Sequence, residues 1–148
     1  MAEGSLITEE LRSLIGKEVG RRETEIEKGA IKKFAKAIDD PNPLWQDEAY
    51  AKDSKWGGII APPTFISYCK TDMPEINFPL KRMLHGEDDI EYYQPVRAGD
   101  TISSVCKVVD IYEKQGKKGP MIFTVLETSH MNQKDELVAK NRISIISF

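Results

Sequence analysis

Thr101-Ile102-Ser103-Ser104-Val105-Cys106-Lys107-Val108-Val109-Asp110-Ile111-Tyr112 is rich in β-branched residues and alternates with a period near two, the pattern of a strand with one face on a core. Gly116-Lys117-Lys118-Gly119 then supplies a hairpin loop, and Met121 to Met131 returns. Asn132-Gln133-Lys134-Asp135 turns the chain again, and Leu137 to Phe148 closes the set. Upstream, Ile90, Tyr92 and Gln94 alternate with Glu91, Tyr93 and Pro95, and Gly99-Asp100 carries turn chemistry before the next strand. The expectation is four long antiparallel strands in a meander.

The first half has a different period. Leu6, Leu11, Leu14 and Ile15 give residues 1–16 the look of an amphipathic lead-in ending at Gly16, and Glu18 to Ile26 suits a short polar edge strand. From Glu27 onward, Ile31, Phe34, Ala35 and Ile38 form one apolar stripe on a lysine-rich helix. Gln46 to Lys52 reads as a short polar helical piece over a cleft. After Gly57-Gly58, the run Ile59-Ile60-Ala61-Pro62-Pro63-Thr64-Phe65-Ile66 leads into a second helix, with Pro63 in its first turn and Phe65, Ile66, Tyr68 and Cys69 making it apolar on nearly all sides. Helices followed by antiparallel strands predict an α+β domain, residues 1–148, whose sheet wraps a central helix.

With 148 residues and 40% hydrophobic composition, the chain can bury about two thirds of its surface as one domain. Its net charge of -3 argues against nucleic-acid binding. No apolar run reaches the ~18 residues of a spanning helix, and the Met1 to Ser5 start lacks the features of a signal peptide, so the reading is cytoplasmic with no membrane partner. Cys69 and Cys106 lack metal spacing and read as buried small residues, and no metal or cofactor is expected.

Chemistry concentrates where the lysine-rich helix must stop. In Ala37-Ile38-Asp39-Asp40-Pro41-Asn42-Pro43-Leu44-Trp45 each proline removes a donor and pushes its predecessor out of helical backbone, which leaves two carboxylates at a forced terminus. Asp40 reads either as a carboxylate closing the loop by local hydrogen bonds or as an acid-base group.

Phe34 to Trp45 resembles the hydratase motif of the MaoC-like family, an aromatic residue before Asp-x-Asn-Pro-x-His. Ile60 to Phe65, Leu84-His85-Gly86-Glu87 and Gln94 to Asp100 are similar to the remaining segments of its fatty-acid-synthase-like dehydratase branch, colinear over Val19 to Phe148. The resemblance implies a single hot-dog fold, an antiparallel curved sheet around a central helix. It also implies reversible addition of water to a 2-enoyl thioester on coenzyme A or acyl carrier protein, giving a (3R)-hydroxyacyl thioester. That reaction needs a base for the attacking water, an acid for the α-carbon and a donor for the thioester oxygen.

By position, the family's aspartate, asparagine and proline match Asp40, Asn42 and Pro43, but the histidine position holds Trp45. An indole N–H donates and does not titrate, so half of the acid-base pair is missing, a loss on the order of 10²–10⁴ in rate. His85 and His130 lack the spacing to replace it locally. Some members of the branch that lack the histidine are similar to the non-catalytic half of a two-hot-dog unit. The resemblance therefore implies an acyl-binding subunit with Asp40 as remnant of the dyad and Asn42, Trp45, Trp56, Pro63, Thr64 and Phe65 as substrate-binding candidates, Tyr68 joining the aromatic lining. Its partners would be an acyl-CoA or acyl carrier protein thioester and a second hot-dog subunit carrying Asp and His. The alternatives are a non-enzymatic acyl-thioester-binding or scaffolding protein, and a hot-dog thioesterase. The latter needs a carboxylate within the central helix, whereas Asp72 and Glu75 follow it.

Overall fold

The computed structural model of the protein describes residues 4–148. Positions 1–3, and with them the beginning of the lead-in and of the stretch inspected for a signal peptide, lie outside the described residues.

Five strands make one antiparallel sheet: β1 (Glu18–Glu25), β2 (Met83–Tyr92), β3 (Thr101–Gly116), β4 (Gly119–Met131) and β5 (Leu137–Ser147), in the order β1-β3-β4-β5-β2. The period-two reading of β3 holds: Ile102, Ser104, Cys106 and Val108 are buried between less buried neighbours. Register slips between Val108 and Asp110, where one extra residue makes a bulge and Ile111 takes up the inner face. Gly116 pairs with Gly119 across Lys117 and Lys118, the tight hairpin expected of that run. β1 is the polar edge strand that Glu18 to Ile26 suggested.

The expected four-strand meander is corrected. β3, β4 and β5 are consecutive neighbours, but β2 crosses the sheet and pairs with β5. The residues between β2 and β3 are tied down instead of forming a hairpin. Ala61 N–H donates to Val96 O at 2.8 Å, and the buried Asp100 carboxylate accepts from Arg97 N–H at 2.8 Å and from Gln133 Nε2 at 2.9 Å. Turn chemistry at Gly99-Asp100 was legible, but its long-range partner was not.

On the inner face of the curved sheet lie α2 (Lys28–Ala37) and a 3₁₀ helix, Pro63–Cys69, with α1 (Glu9–Ser13), α3 (Pro43–Gln46) and α4 (Glu48–Asp53) around them. Of the expected stripe, Ile31 and Ala35 are buried in α2 and Phe34 packs partly buried against the core, but Ile38, at the helix cap, is exposed, so the stripe ends a turn early. In α1, Leu11 is buried and Leu14 packs on the core, whereas Ile15 stays exposed, so the lead-in stripe is narrower than its spacing suggested. The central helix is also narrower than expected. It winds as 3₁₀, burying Phe65, Ile66 and Cys69 while Thr64, Ser67 and Tyr68 face outward. Prolines at its start and β-branched Thr64 and Ile66 weaken α propensity, and Tyr68, one 3₁₀ turn beyond Phe65, stacks on its ring while remaining exposed.

The core is built as two clusters. Phe65, Ile66, Cys69, Ile31, Ile102 and Val138 gather at one end; Leu11, Phe78, Cys106, Val108, Ile122 and Leu126 gather at the other. Both cysteines are buried and free, one in each cluster, and burial pushes the Cys69 thiol up to about 11. Phe65 is 1% exposed and meets Phe34 edge-on at 5.3 Å and Tyr68 stacked at 5.1 Å. Phe65→Ala is expected to cost about 3–5 kcal/mol in a urea-unfolding measurement, as for other buried aromatics.

Candidate functional site

α2 ends by a backbone device. Asp39 takes a left-handed conformation at φ 53°, Asp39 N–H donates to Lys36 O at 3.1 Å, and Asp40 N–H reaches Ala35 O at 2.9 Å. This is the Schellman arrangement, with aspartate where glycine is usual. Asp40 Oδ1 then accepts from Asn42 N–H at 3.0 Å, Asn42 Oδ1 accepts from Leu44 N–H at 3.0 Å, and Gln46 Nε2 donates to Asp40 O at 2.8 Å. Each of these bonds shapes the turn into α3, where Asn42 is the cap and Pro43 occupies the first turn. Asp40 lines a surface depression together with Lys36, Asp39, Pro43 and Asp47.

α3 carries Trp45 to the opposite side of that loop, 8% exposed, into the wall of an apolar cavity of about 410 Å³. Leu44, Trp45 and Trp56 form one wall; Ile60 to Pro63 and Ile66 form a second; Tyr92 to Val96 with Val138 and Ala139 complete it from the sheet. Trp56 is held by Lys55, whose Nζ sits 4.6 Å from the centre of its ring, and by Arg97, which donates to its carbonyl. The titratable side chains among the lining residues are Tyr92 and Tyr93. Both phenols are pushed up, Tyr92 by burial and then by Asp88, Tyr93 by its hydrogen bond to Glu91.

Trp45, Trp56 and Pro63 are thus brought together at one cavity. Asp40 and Asn42 lie in the loop beside it, Thr64 is exposed at the start of the 3₁₀ helix, and Phe65 packs the other way with Tyr68, against α2. Asp72 and Glu75 are exposed beyond the end of that helix.

Residues 13–141 match the model of the FAS1-like dehydratase domain region. The chain belongs to that family. A UPF0336 protein of Thermobifida fusca is 34% identical to this dehydratase-family chain over 101 residues, covering 64% of the chain and 66% of the relative, so the match spans just under two thirds of that protein. A MaoC-like dehydratase from Rhodospirillum rubrum superposes with a TM-score of 0.73 at 23% identity, over 93% of this chain and 95% of the other. The C-terminally truncated HadBC (3R-hydroxyacyl-ACP dehydratase) complex from Mycobacterium tuberculosis gives 0.73 at 18% identity, over 90% and 97%. These structural likenesses establish the hot-dog fold.

Within this dehydratase-family fold, neither histidine lines Asp40's depression or the apolar cavity. His85 is more than half exposed on β2, 3.8 Å from Asp88. His130 is fully buried on β4 with Nδ1 2.7 Å from Ser104 Oγ, and its Nε2 has no partner among the described residues. Register places it in a row running straight across the sheet, Tyr92-Ala139-His130-Ser104-Arg22, one strand behind the Ala139 wall of the cavity. Close by in the fold, Lys70 Nζ meets Asp88 Oδ2 at 3.1 Å and Asn141 Nδ2 donates to Asp88 Oδ1 at 2.8 Å, tying the end of the 3₁₀ helix to β2 and β5. The sheet's share of the cavity and the Ser104–His130 pair escaped sequence reading because they depend on which strands are neighbours. Among the described residues no group of three His, Cys, Asp or Glu could hold a metal, and no helix is long and apolar enough to cross a membrane.

Burial, with a smaller contribution from Lys70, lowers His130 from 6.5 to about 4. The unfolded chain therefore binds a proton that the folded one refuses. Stability is complete above pH 6.5 and falls as pH drops toward 4, by an amount on the order of 3 kcal/mol at most. Urea unfolding between pH 7 and pH 4.5 is expected to show this loss, and His130→Gln to flatten it.

Proposed function

We propose that this chain is the acyl-binding, non-catalytic half of a MaoC-like enoyl-CoA hydratase or 3-hydroxyacyl-thioester dehydratase. A second hot-dog subunit supplies the complete aspartate-histidine pair. The observation that carries this reading is the division at the loop: Trp45, where the family has its proton-transferring histidine, is part of the apolar wall, while Asp40 lies in a separate depression with one oxygen committed to Asn42 N–H. Water addition needs a titrating group at the β-carbon, and the cavity offers only tyrosines whose phenols resist ionisation at neutral pH.

What this half contributes is binding and shape. The apolar walls accept an acyl chain, as small-molecule sites of this size commonly do. The catalytic half polarises the thioester, activates water and protonates the α-carbon with its own residues. A partner is supported by the free edge of β2, where Met83, Leu84 and Tyr92 are about half exposed beside unpaired backbone groups. The HadBC dehydratase of Mycobacterium tuberculosis, itself a complex, supports the same arrangement.

Purified alone, the chain is expected to hydrate crotonyl-CoA negligibly, and Asp40→Asn to leave that background unchanged. Adding a hot-dog subunit with an intact Asp-x-Asn-Pro-x-His motif restores turnover, again insensitive to Asp40→Asn in this chain. Robust hydration by the isolated chain, abolished by Asp40→Asn, overturns the proposal. A partner recovered from the native host and identified by mass as something other than a hot-dog supports the scaffolding alternative instead.

A further inference from the structure

We propose that the hairpin end of the sheet's outer face is a docking groove for an acidic amphipathic helix of a partner protein, a surface separate from the acyl cavity. On β3, β4 and β5 the buried Ile111, Ile122 and Ile145 face the core, so their neighbours in each strand face outward. Register lines up Leu84, Ile146, Phe123 and Tyr112 in one row straight across the sheet, and Tyr112 stacks on Phe123 with ring centres 5.0 Å apart. Beside this row, Leu84, Met121, Ile146 and Phe148 floor a groove of about 830 Å³. Leu84 is 57% exposed and Phe148 40%. Apolar side chains gathered inside a charged rim are the mark of an interaction surface.

The rim carries one sign of charge. Lys117 and Lys118 stand on the hairpin, Lys81 and Arg82 on the segment entering β2, and all are exposed. Arg82 is fixed there by backbone hydrogen bonds exchanged with Phe148, at 3.3 and 2.9 Å. Lys114 extends the rim, its Nζ 5.4 Å from the centre of the Tyr112 ring and 5.1 Å from that of Phe123. Among the described residues no aspartate or glutamate lines the groove, and the carboxylate of nearby Glu113 is taken by Ser5 Oγ and Leu6 N–H. In a chain of net charge -3 this is a local reversal of sign. It argues against a second copy laid symmetrically on the same face, which would set lysines against lysines. A bare polyanion would leave the apolar floor wet, and a flat bilayer would meet the rim without filling the groove. From β4 to β2 is two strand spacings, about 10 Å, close to the 10–12 Å width of an α-helix with its side chains. An apolar stripe on such a helix fills the floor while acidic flanks meet both rims. Along β5 from Ala139 to Ile146 is about 24 Å, so the groove stands clear of the acyl cavity and its occupancy is independent of the acyl-binding reading.

The test is fluorescence anisotropy of the full chain with a labelled helical peptide that carries leucine at i, i+3, i+4 and i+7 and glutamate on both flanks. Two comparison peptides have the same composition scrambled, so that the stripe is lost, and lysine in place of every glutamate. Only the striped glutamate peptide is expected to bind, more weakly as salt is raised. Lys117→Glu combined with Lys118→Glu should weaken it about tenfold. Phe148→Ser should weaken it as well, by removing part of the floor. Lys52→Glu combined with Lys134→Glu makes the same change of charge on exposed lysines outside the groove, and should leave binding as it was. Circular dichroism of each variant checks that the fold is kept. Absence of binding by the striped peptide, equal binding of the scrambled one, or equal loss in the two charge-reversed pairs overturns the proposal. So does sedimentation of the chain with phosphatidylglycerol vesicles that Lys117→Glu with Lys118→Glu abolishes while the peptide fails to bind, a result that assigns the face to an anionic membrane instead.

Discussion

Two prolines separated by one residue govern this molecule. Pro41 and Pro43 forbid α2 to continue, and the chain has to turn within the space of Asp39 to Asn42. The turn is held by a left-handed aspartate, an Asp40 carboxylate on Asn42 N–H and an asparagine cap, all local bonds. Because it is so constrained, α3 leaves at a fixed angle and Trp45 arrives against the inner face of the sheet. The cavity wall, the packing of Trp56 and the approach of the Pro62–Pro63 segment follow from that placement.

Where the sequence carries local physics, the fold was readable. Alternation in Thr101 to Tyr112, the Gly116 to Gly119 hairpin and the apolar stripe of α2 each depend on neighbours a few residues away, and each appears, the stripe without its last member Ile38. The motif Asp40-Pro41-Asn42-Pro43 was readable for the same reason. Crossing of β2 to β5 was not, because nothing in Met83 to Tyr92 specifies whether β3 or β5 offers the better partner. The helix expected at Pro63 to Cys69 is present, but its burial was overestimated. Its apolar composition suggested burial on nearly all sides, yet Tyr68 stays exposed while its ring stacks on buried Phe65.

The candidate site shows the same divide. Trp45, Trp56 and Pro63 come from segments that the family resemblance had marked, and they do meet. Their counterparts on the sheet, Tyr92 and Ala139, become neighbours only through the β2–β5 register, a contact across nearly fifty positions of sequence. Phe65, conspicuous as an aromatic beside two prolines, was pulled to the opposite side by Phe34. Aromatic identity thus marks a candidate, while packing partners distant in sequence decide whether it is buried and which wall it joins.

Ala139 is the smallest side chain in the row that runs from Tyr92 to Ser104, and it separates the cavity from His130. A methyl group there acts as a stop whose position is set by one residue. Ala139 is fully buried within the cluster that holds Phe65, Ile102 and Val138, so a larger side chain there overpacks the core as well as crowding the cavity. The boundary of the apolar space on this side therefore coincides with the boundary of the packed core, and the imidazole of His130 stays behind it.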